Sequence, residues 1–192
     1  DETHALADVA RWHGARVHID GARIFNAALA LDTTVAALAE PADSVGFCLS
    51  KGLGAPVGSV LCGDGEFIAR ARKNRKMLGG GMRQAGVIAA AGVYALDHMV
   101  ERLADDHANA KLLARGLAEL PMVDLDPESV DTNIVIFRTG DAVSFARSLK
   151  RAGVLCTSPG PGRLRMVTHY GIERADIEDA LERARTAAAV LV

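Results

Sequence analysis

The sequence predicts an α/β layered domain joined to a smaller α+β unit, and three observations carry that expectation. Short apolar runs at residues 17–19, 44–49 and 58–61 alternate with segments of helical apolar spacing, the pattern of buried strands interleaved with helices. An alanine-rich tract over residues 85–120 has few helix breakers before Pro121. Beyond it come four strand-like segments and two helical ones. The boundary is therefore expected near Pro121, with residues 1–120 forming the larger domain and its linking helix and residues 121–192 the smaller one.

Taken in order, residues 3–14 space Leu6, Val9 and Ala10 along one helical face and stop at Gly14. Residues 17–19 form a short strand with Asp20 at its carboxyl end. Helices are expected at 22–31 and 34–38, and the strands at 44–49 and 58–61 bracket a loop containing Lys51. Residues 66–76 form a basic amphipathic helix with Arg70, Arg72, Lys73, Arg75 and Lys76, running into Met77-Leu78-Gly79-Gly80-Gly81-Met82-Arg83-Gln84. The alanine-rich tract is read as two helices joined near Asp105. In the smaller unit, strands are expected at 122–125, 132–137, 154–156 and 164–168, with helices at 141–152 and 174–190.

Composition fits a compact, water-soluble chain: 192 residues, 49% hydrophobic, 24% charged, net charge −2. That balance gives no reason to expect nucleic acid or a membrane as partner, and no apolar run approaches bilayer-spanning length. The opening Asp1-Glu2-Thr3-His4 lacks a basic-then-apolar stretch, so no targeting segment is expected and the cytoplasm is the anticipated compartment. Cys48, Cys62 and Cys156 are dispersed in apolar contexts and are expected as buried free thiols, with no metal role.

Several residues stand out for their chemistry. Lys51 follows the apolar run Ser44-Val45-Gly46-Phe47-Cys48-Leu49 and leads into Gly52-Leu53-Gly54-Ala55-Pro56-Val57-Gly58-Ser59, where glycines permit unusual backbone angles and Pro56 stiffens the loop. A lysine in such a loop is either a solvated surface cation or a Schiff-base amine, and an acid at a neighbouring strand end favours the second. Asp20 is such an acid, because ligands of layered α/β domains gather at strand carboxyl ends. The glycine run at 79–81 suggests backbone squeezed against a ligand or a neighbouring subunit, with Lys76 and Arg83 as candidate anion contacts. Alternation along residues 163–168 puts Arg163, Arg165 and Val167 on one face and Leu164, Met166 and Thr168 on the other. An arginine so placed either sits on a wet sheet face or grips a carboxylate with two hydrogen bonds.

Four blocks together carry a family resemblance. They are His18-Ile19-Asp20-Gly21-Ala22-Arg23, residues 47–59 around Lys51, residues 75–86 around the three glycines and Arg83, and Arg165-Met166-Val167-Thr168-His169. In this order and spacing the chain resembles the low-specificity L-threonine aldolases, and the match runs over essentially its whole length. The resemblance implies the aspartate aminotransferase-like fold type I of pyridoxal 5'-phosphate enzymes, represented by part of the large domain and the small carboxyl-terminal domain. It implies that Lys51 forms the internal aldimine, that Asp20 bonds the pyridine nitrogen, that Arg23 lies beside the phenolic oxygen, and that Ser50, Lys76 and Arg83 also contact the cofactor. Arg165, with Arg83, would hold the substrate carboxylate. His18, Thr168 and His169 belong to the matched blocks and read equally well as satisfied structural groups.

The activity so implied is retro-aldol cleavage of threonine or allo-threonine, a small amino-acid substrate, to glycine and acetaldehyde, in a homo-oligomer, dimer or tetramer. In such enzymes the lysine follows a long amino-terminal stretch, whereas fifty residues precede Lys51 here. The chain thus looks like the carboxyl-terminal part of an aldolase, and its missing amino-terminal portion is an expected partner. Two alternatives stay open: a related β-eliminating lyase or phenylserine aldolase, and a non-catalytic module that keeps only the fold. The second has no physical need for Lys51 and Asp20.

Overall fold

The computed structural model describes residues 2–191. It divides into two compact units between Glu101 and Arg102. The cut falls earlier than the expected boundary near Pro121 because the helix over residues 103–118 turns its apolar face, Ala110, Leu113, Ala114 and Leu117, into the second unit's core.

In the first unit, α1 (Glu2–Trp12) ends in a Schellman turn, with Ala15 N–H donating to the Ala10 carbonyl and Gly14 at a φ of 69°. Strand β1 (His18–Asp20) then pairs in parallel with β2 (Ser44–Cys48), and the crossover between them carries α2 (Ile24–Ala30) and α3 (Val35–Ala39). Strand β3 (Ser59–Gly63) returns antiparallel beside β2, giving the order β1-β2-β3. The register sets Asp20 opposite Gly46 and Cys48 opposite Ser59. Helix α4 (Gly65–Met77) starts on Asp64, whose carboxylate accepts from Phe67 N–H at 2.7 Å, and carries Arg75 and Lys76 in its last turn, where cations suit the helix dipole. Helix α5 (Gly86–His98) closes the unit.

The second unit begins with α6 (Leu103–Ala118) and holds a four-stranded antiparallel sheet, ordered β4 (Val123–Asp124), β5 (Ile134–Thr139), β7 (Arg163–Val167), β6 (Thr157–Gly160). Helices α7 (Ala142–Arg151) and α8 (Arg174–Ala189) join α6 over a core that includes Leu117, Val135, Phe137, Phe145, Leu149, Leu164 and Leu181. Helices α6 and α8 pack closely at Gly116, where a Cβ would lie 2.5 Å from a Leu181 methyl.

Three further expectations change. Residues 154–156 are not a strand: Val154 N–H donates to the Leu149 carbonyl at 2.8 Å and Gly153 takes a φ of 86°, so this apolar stretch is the Schellman end of α7 and β6 starts later, at Thr157. Cys62 is exposed on β3, while Cys48 and Cys156 are half-buried, and all three are free thiols. Burial raises the Cys156 thiol above its ordinary range. The break between α5 and α6 falls at residues 99–102, ahead of Asp105, which lies in the first turn of α6.

Candidate functional site

The first unit brings Asp20 and Lys51 to the same end of its sheet. Because β1 and β2 are parallel neighbours, their carboxyl ends point the same way: Asp20 closes β1, and Leu49-Ser50-Lys51 follow β2 directly. Gly21 makes the turn after Asp20 close: its N–H donates to the Gly46 carbonyl at 2.7 Å, and a Cβ there would stand 3.2 Å from that oxygen. One carboxylate oxygen of Asp20 accepts from Ala22 N–H at 3.2 Å, which leaves the group turned out at the strand end. Arg23 follows at the N-cap position of α2, partly buried.

The lysine loop is tightly fixed. Leu49 N–H donates to the Gly58 carbonyl at 3.0 Å, Ala55 N–H donates to the Leu49 carbonyl at 3.0 Å, and Gly54 N–H donates to the Lys51 carbonyl at 2.9 Å. Gly54 and Gly58 take φ values of 74° and 119°, the left-handed region that side chains disfavour. The Leu49 side chain packs against α5 at Gly92, where a Cβ would lie 2.8 Å from its methyl, and Gly54 sits against the Met99 methyl, 3.3 Å from where its Cβ would be. Leu49 and Leu53 are buried while Ser50 and Lys51 are exposed. A rigid loop thus holds out a flexible amine, the arrangement a covalent cofactor anchor needs.

The glycine run after α4 has a local explanation. Gly80 N–H donates to the Arg75 carbonyl at 2.8 Å, Gly79 N–H donates to the Lys76 carbonyl at 3.2 Å, and Gly79 takes a φ of 80°, which is a Schellman end. A Cβ on Gly81 would lie 2.8 Å from the Lys76 side chain. The glycines therefore let the chain fold back over its own helix. Lys76 and Arg83 are exposed on this segment, and Gln84 next to Arg83 takes a positive φ of 51°.

The second unit supplies Arg165. Its strand alternates as expected, with Leu164 and Met166 buried and Arg163, Arg165 and Val167 toward the open face. Arg165 stands between Ile136 on β5 and Thr157 on β6, and Arg163 pairs with Arg138, so three guanidinium groups share this face. Such a face attracts anions. The Nε of Arg165 is buried and has no acceptor among the described residues, a donor suited to a carboxylate oxygen.

The structural histidines and threonine of the matched blocks are satisfied locally. His18 Nδ1 shares a hydrogen bond with Ser44 Oγ at 2.9 Å, and His169 Nδ1 one with the Tyr170 carbonyl at 2.8 Å. Thr168 Oγ donates to the Asp106 carbonyl at 2.6 Å. Sequence reasoning did not single out Asn133, Asp106, Gly92 or Met99, which fix these segments from a distance in the chain. The one local signal was Arg102 four residues before Asp106, the spacing of a helical ion pair, which these two form at the start of α6.

Known proteins similar to this chain include threonine aldolases. Low-specificity L-threonine aldolase 1 of Arabidopsis thaliana is 42% identical over 184 residues, covering 93% of this chain and 51% of that protein. The low specificity L-threonine aldolase of Escherichia coli strain K12 is 42% identical over 165 residues, 85% of this chain and 48% of that protein. The chain spans about half the length of the curated relatives it matches. Among solved structures, one from Exiguobacterium sp. 255-15, assigned to the aromatic amino acid beta-eliminating lyases/threonine aldolases, superimposes with a TM-score of 0.81 at 25% identity, over 97% of this chain and 56% of that one. Serine palmitoyltransferase of Sphingomonas wittichii follows with a TM-score of 0.77 at 19% identity, over 97% of this chain and 50% of that one, a likeness of fold alone. The fold is thus the fold type I arrangement. The beta-eliminating lyase family profile matches residues 1–140, which include Asp20, the Lys51 loop and the glycine run, and the chain belongs to that family.

Proposed function

We propose that this chain is the carboxyl-terminal part of a pyridoxal 5'-phosphate aldolase that cleaves L-threonine or L-allo-threonine to glycine and acetaldehyde. The observation that carries the reading is the pairing of Asp20 and Lys51 at the ends of neighbouring parallel strands, in a chain 42% identical to named threonine aldolases.

The residues fit the cofactor by the chemistry of the donor set. A rigid loop presents one amine, a turned-out carboxylate ends the adjacent strand, and the buried Arg165 Nε has no acceptor among the described residues. Lys51 Nζ would hold the cofactor's aldehyde carbon, Asp20 the proton on its ring nitrogen, and Arg23 its phenolic oxygen, with Ser50, Lys76 and Arg83 as further contacts. When bound, the cofactor supplies an electron sink for the pair released as the substrate's α–β carbon bond breaks. The Asp20 carboxylate would favour a proton on that ring nitrogen by charge and hydrogen bonding. Arg165, whose buried Nε is a donor to spare, would grip the substrate carboxylate, the role the family resemblance gives it together with Arg83; fixing that carboxylate fixes which bond is aligned for cleavage.

Three finer expectations belong to the same reading. The working protein is a homo-oligomer, a proposal supported by Met77, Leu78, Met82 and Val87, all more than 60% exposed around the glycine run. It acts in the cytoplasm. Further polypeptide completes the site, as the roughly doubled length of the relatives suggests, so these residues alone turn over slowly.

Borohydride reduction of the cofactor-saturated full-length protein, followed by peptide mapping, tests the reading. Label on Lys51, lost in Lys51→Ala, together with glycine and acetaldehyde as products from threonine, is the expected result. Unlabelled Lys51, or pyruvate-type keto acid and ammonia as products, would refute it.

A further inference from the structure

We propose that Thr168 is the positioning residue for Arg165: through its hydroxyl on α6 and its main chain on Asn133, it fixes the register and depth at which Arg165 meets an amino-acid carboxylate. The proposal deepens the aldolase reading and rests on Arg165 being the carboxylate grip.

Thr168 is the first residue past β7 and is only 1% exposed. All three of its polar groups are engaged. Its N–H donates to the Asn133 carbonyl at 3.1 Å, its carbonyl accepts from Asn133 Nδ2 at 2.8 Å, and its hydroxyl donates to the Asp106 carbonyl at 2.6 Å. Asn133, 1% exposed, immediately precedes β5, and the β5–β7 ladder pairs Ile134 with Val167 and Ile136 with Arg165. The 133–168 pair is thus the next rung of the ladder that carries Arg165. Because side chains alternate, holding Thr168 inward holds Val167 outward, Met166 inward and Arg165 outward. A slip of one residue would drive the guanidinium into the core.

Depth is set by α6. The Asp106 carbonyl lies in the first turn of that helix, where the fully buried Asp106 carboxylate pairs with Arg102. The same helix holds the chain after Thr168 at two more points. Asn109 Nδ2 donates to the Ile172 carbonyl at 2.9 Å, and the Arg102 guanidinium lies 5.2 Å from the centre of the Tyr170 ring. Residues 168–172 are therefore strapped to α6 at three places, of which Thr168 is closest to Arg165 in the chain. A threonine serves here because its hydroxyl reaches the helix carbonyl while its methyl remains in the core; valine keeps the shape and removes the bond.

The test uses the full-length, cofactor-saturated protein. Wild type, Thr168→Val, Thr168→Ser and Arg165→Ala, plus the Thr168→Val/Arg165→Ala double variant, are compared for threonine cleavage and for glycine affinity by spectral titration. Thr168→Val should weaken glycine binding and raise KM about tenfold with kcat within about twofold, the size of effect a small misplacement of a bidentate contact produces. Thr168→Ser should restore both, and Thr168→Val should add nothing once Arg165 is alanine. Should Thr168→Val not fold, Thr168→Cys, which keeps a weaker donor, should shift KM about threefold. Unchanged KM in the folded Thr168→Val or Thr168→Cys protein, or a full tenfold effect persisting on the Arg165→Ala background, overturns the proposal while leaving the aldolase reading intact. Absence of threonine cleavage by wild type overturns the aldolase reading, and the Thr168 proposal with it.

Discussion

Gly54→Ala is the sharpest test of how the Lys51 loop is held. Gly54 has a φ of 74°, and its N–H closes the turn onto the Lys51 carbonyl. An L-residue in that left-handed region costs about 1–2 kcal/mol. The added Cβ would meet only the Met99 terminal methyl at 3.3 Å, which can give by a few tenths of an ångström, so backbone strain dominates over the clash. With a urea dependence of about 2 kcal/mol/M, the unfolding midpoint should fall by about 0.5–1 M at an unchanged slope. Gly65→Ala is the control, because a Cβ there meets nothing within 4 Å and its φ lies outside the left-handed region. It should be neutral or raise stability by up to about 1 kcal/mol. Urea titrations followed by circular dichroism read both, and borohydride labelling of Lys51 should drop in Gly54→Ala alone. A midpoint for Gly54→Ala at or above wild type, or an equal fall in Gly65→Ala, would refute the claim that backbone conformation holds the loop.

Two further predictions concern the second unit. Gly116→Ala should destabilise it by about 1–3 kcal/mol through overpacking, since two Leu181 methyls would lie 2.5 and 2.6 Å from the new Cβ; Leu181→Ala, costly alone, should offset part of that loss in the double variant, read as a positive coupling in thermal melts. His107 is buried, and burial first, then Lys111, holds its imidazole below the ordinary value despite the opposing pull of Asp106. The unfolded chain then binds more protons than the folded one below about pH 6.5, so the contribution of His107 is present above that pH and is lost as pH falls toward the folded value. Urea midpoints measured between pH 7 and pH 5 should decline, and His107→Gln should flatten the slope; an unchanged slope would remove His107 as the cause.

Periodicity and punctuation made much of the fold legible. Residues 44–49 and 174–190 were readable because a buried strand and an amphipathic helix write their own spacing, and β2 and α8 occupy nearly those spans. Residues 154–156 read as a strand in the sequence because an apolar run after a helix looks the same whether it enters a strand or caps the helix, and only the Gly153 φ and the Val154–Leu149 bond distinguish them. The glycine run at 79–81 was similarly ambiguous, since glycine records permission for a backbone angle and not what occupies the space it leaves.

By itself the sequence determined the chemistry on offer: a lysine amine in a glycine-rich loop, an acid at a strand end, arginines on one face of a strand, and the family those blocks resemble. Only the tertiary structure decided how that chemistry is held. It set Asp20 and Lys51 on parallel neighbours, pinned the lysine loop through Gly92 and Met99, and locked the end of the Arg165 strand through Asn133 and Asp106. Those supports lie far along the chain from the groups they fix, and contacts between distant segments arise from packing and hydrogen-bond satisfaction, which leave no local period in the sequence to read.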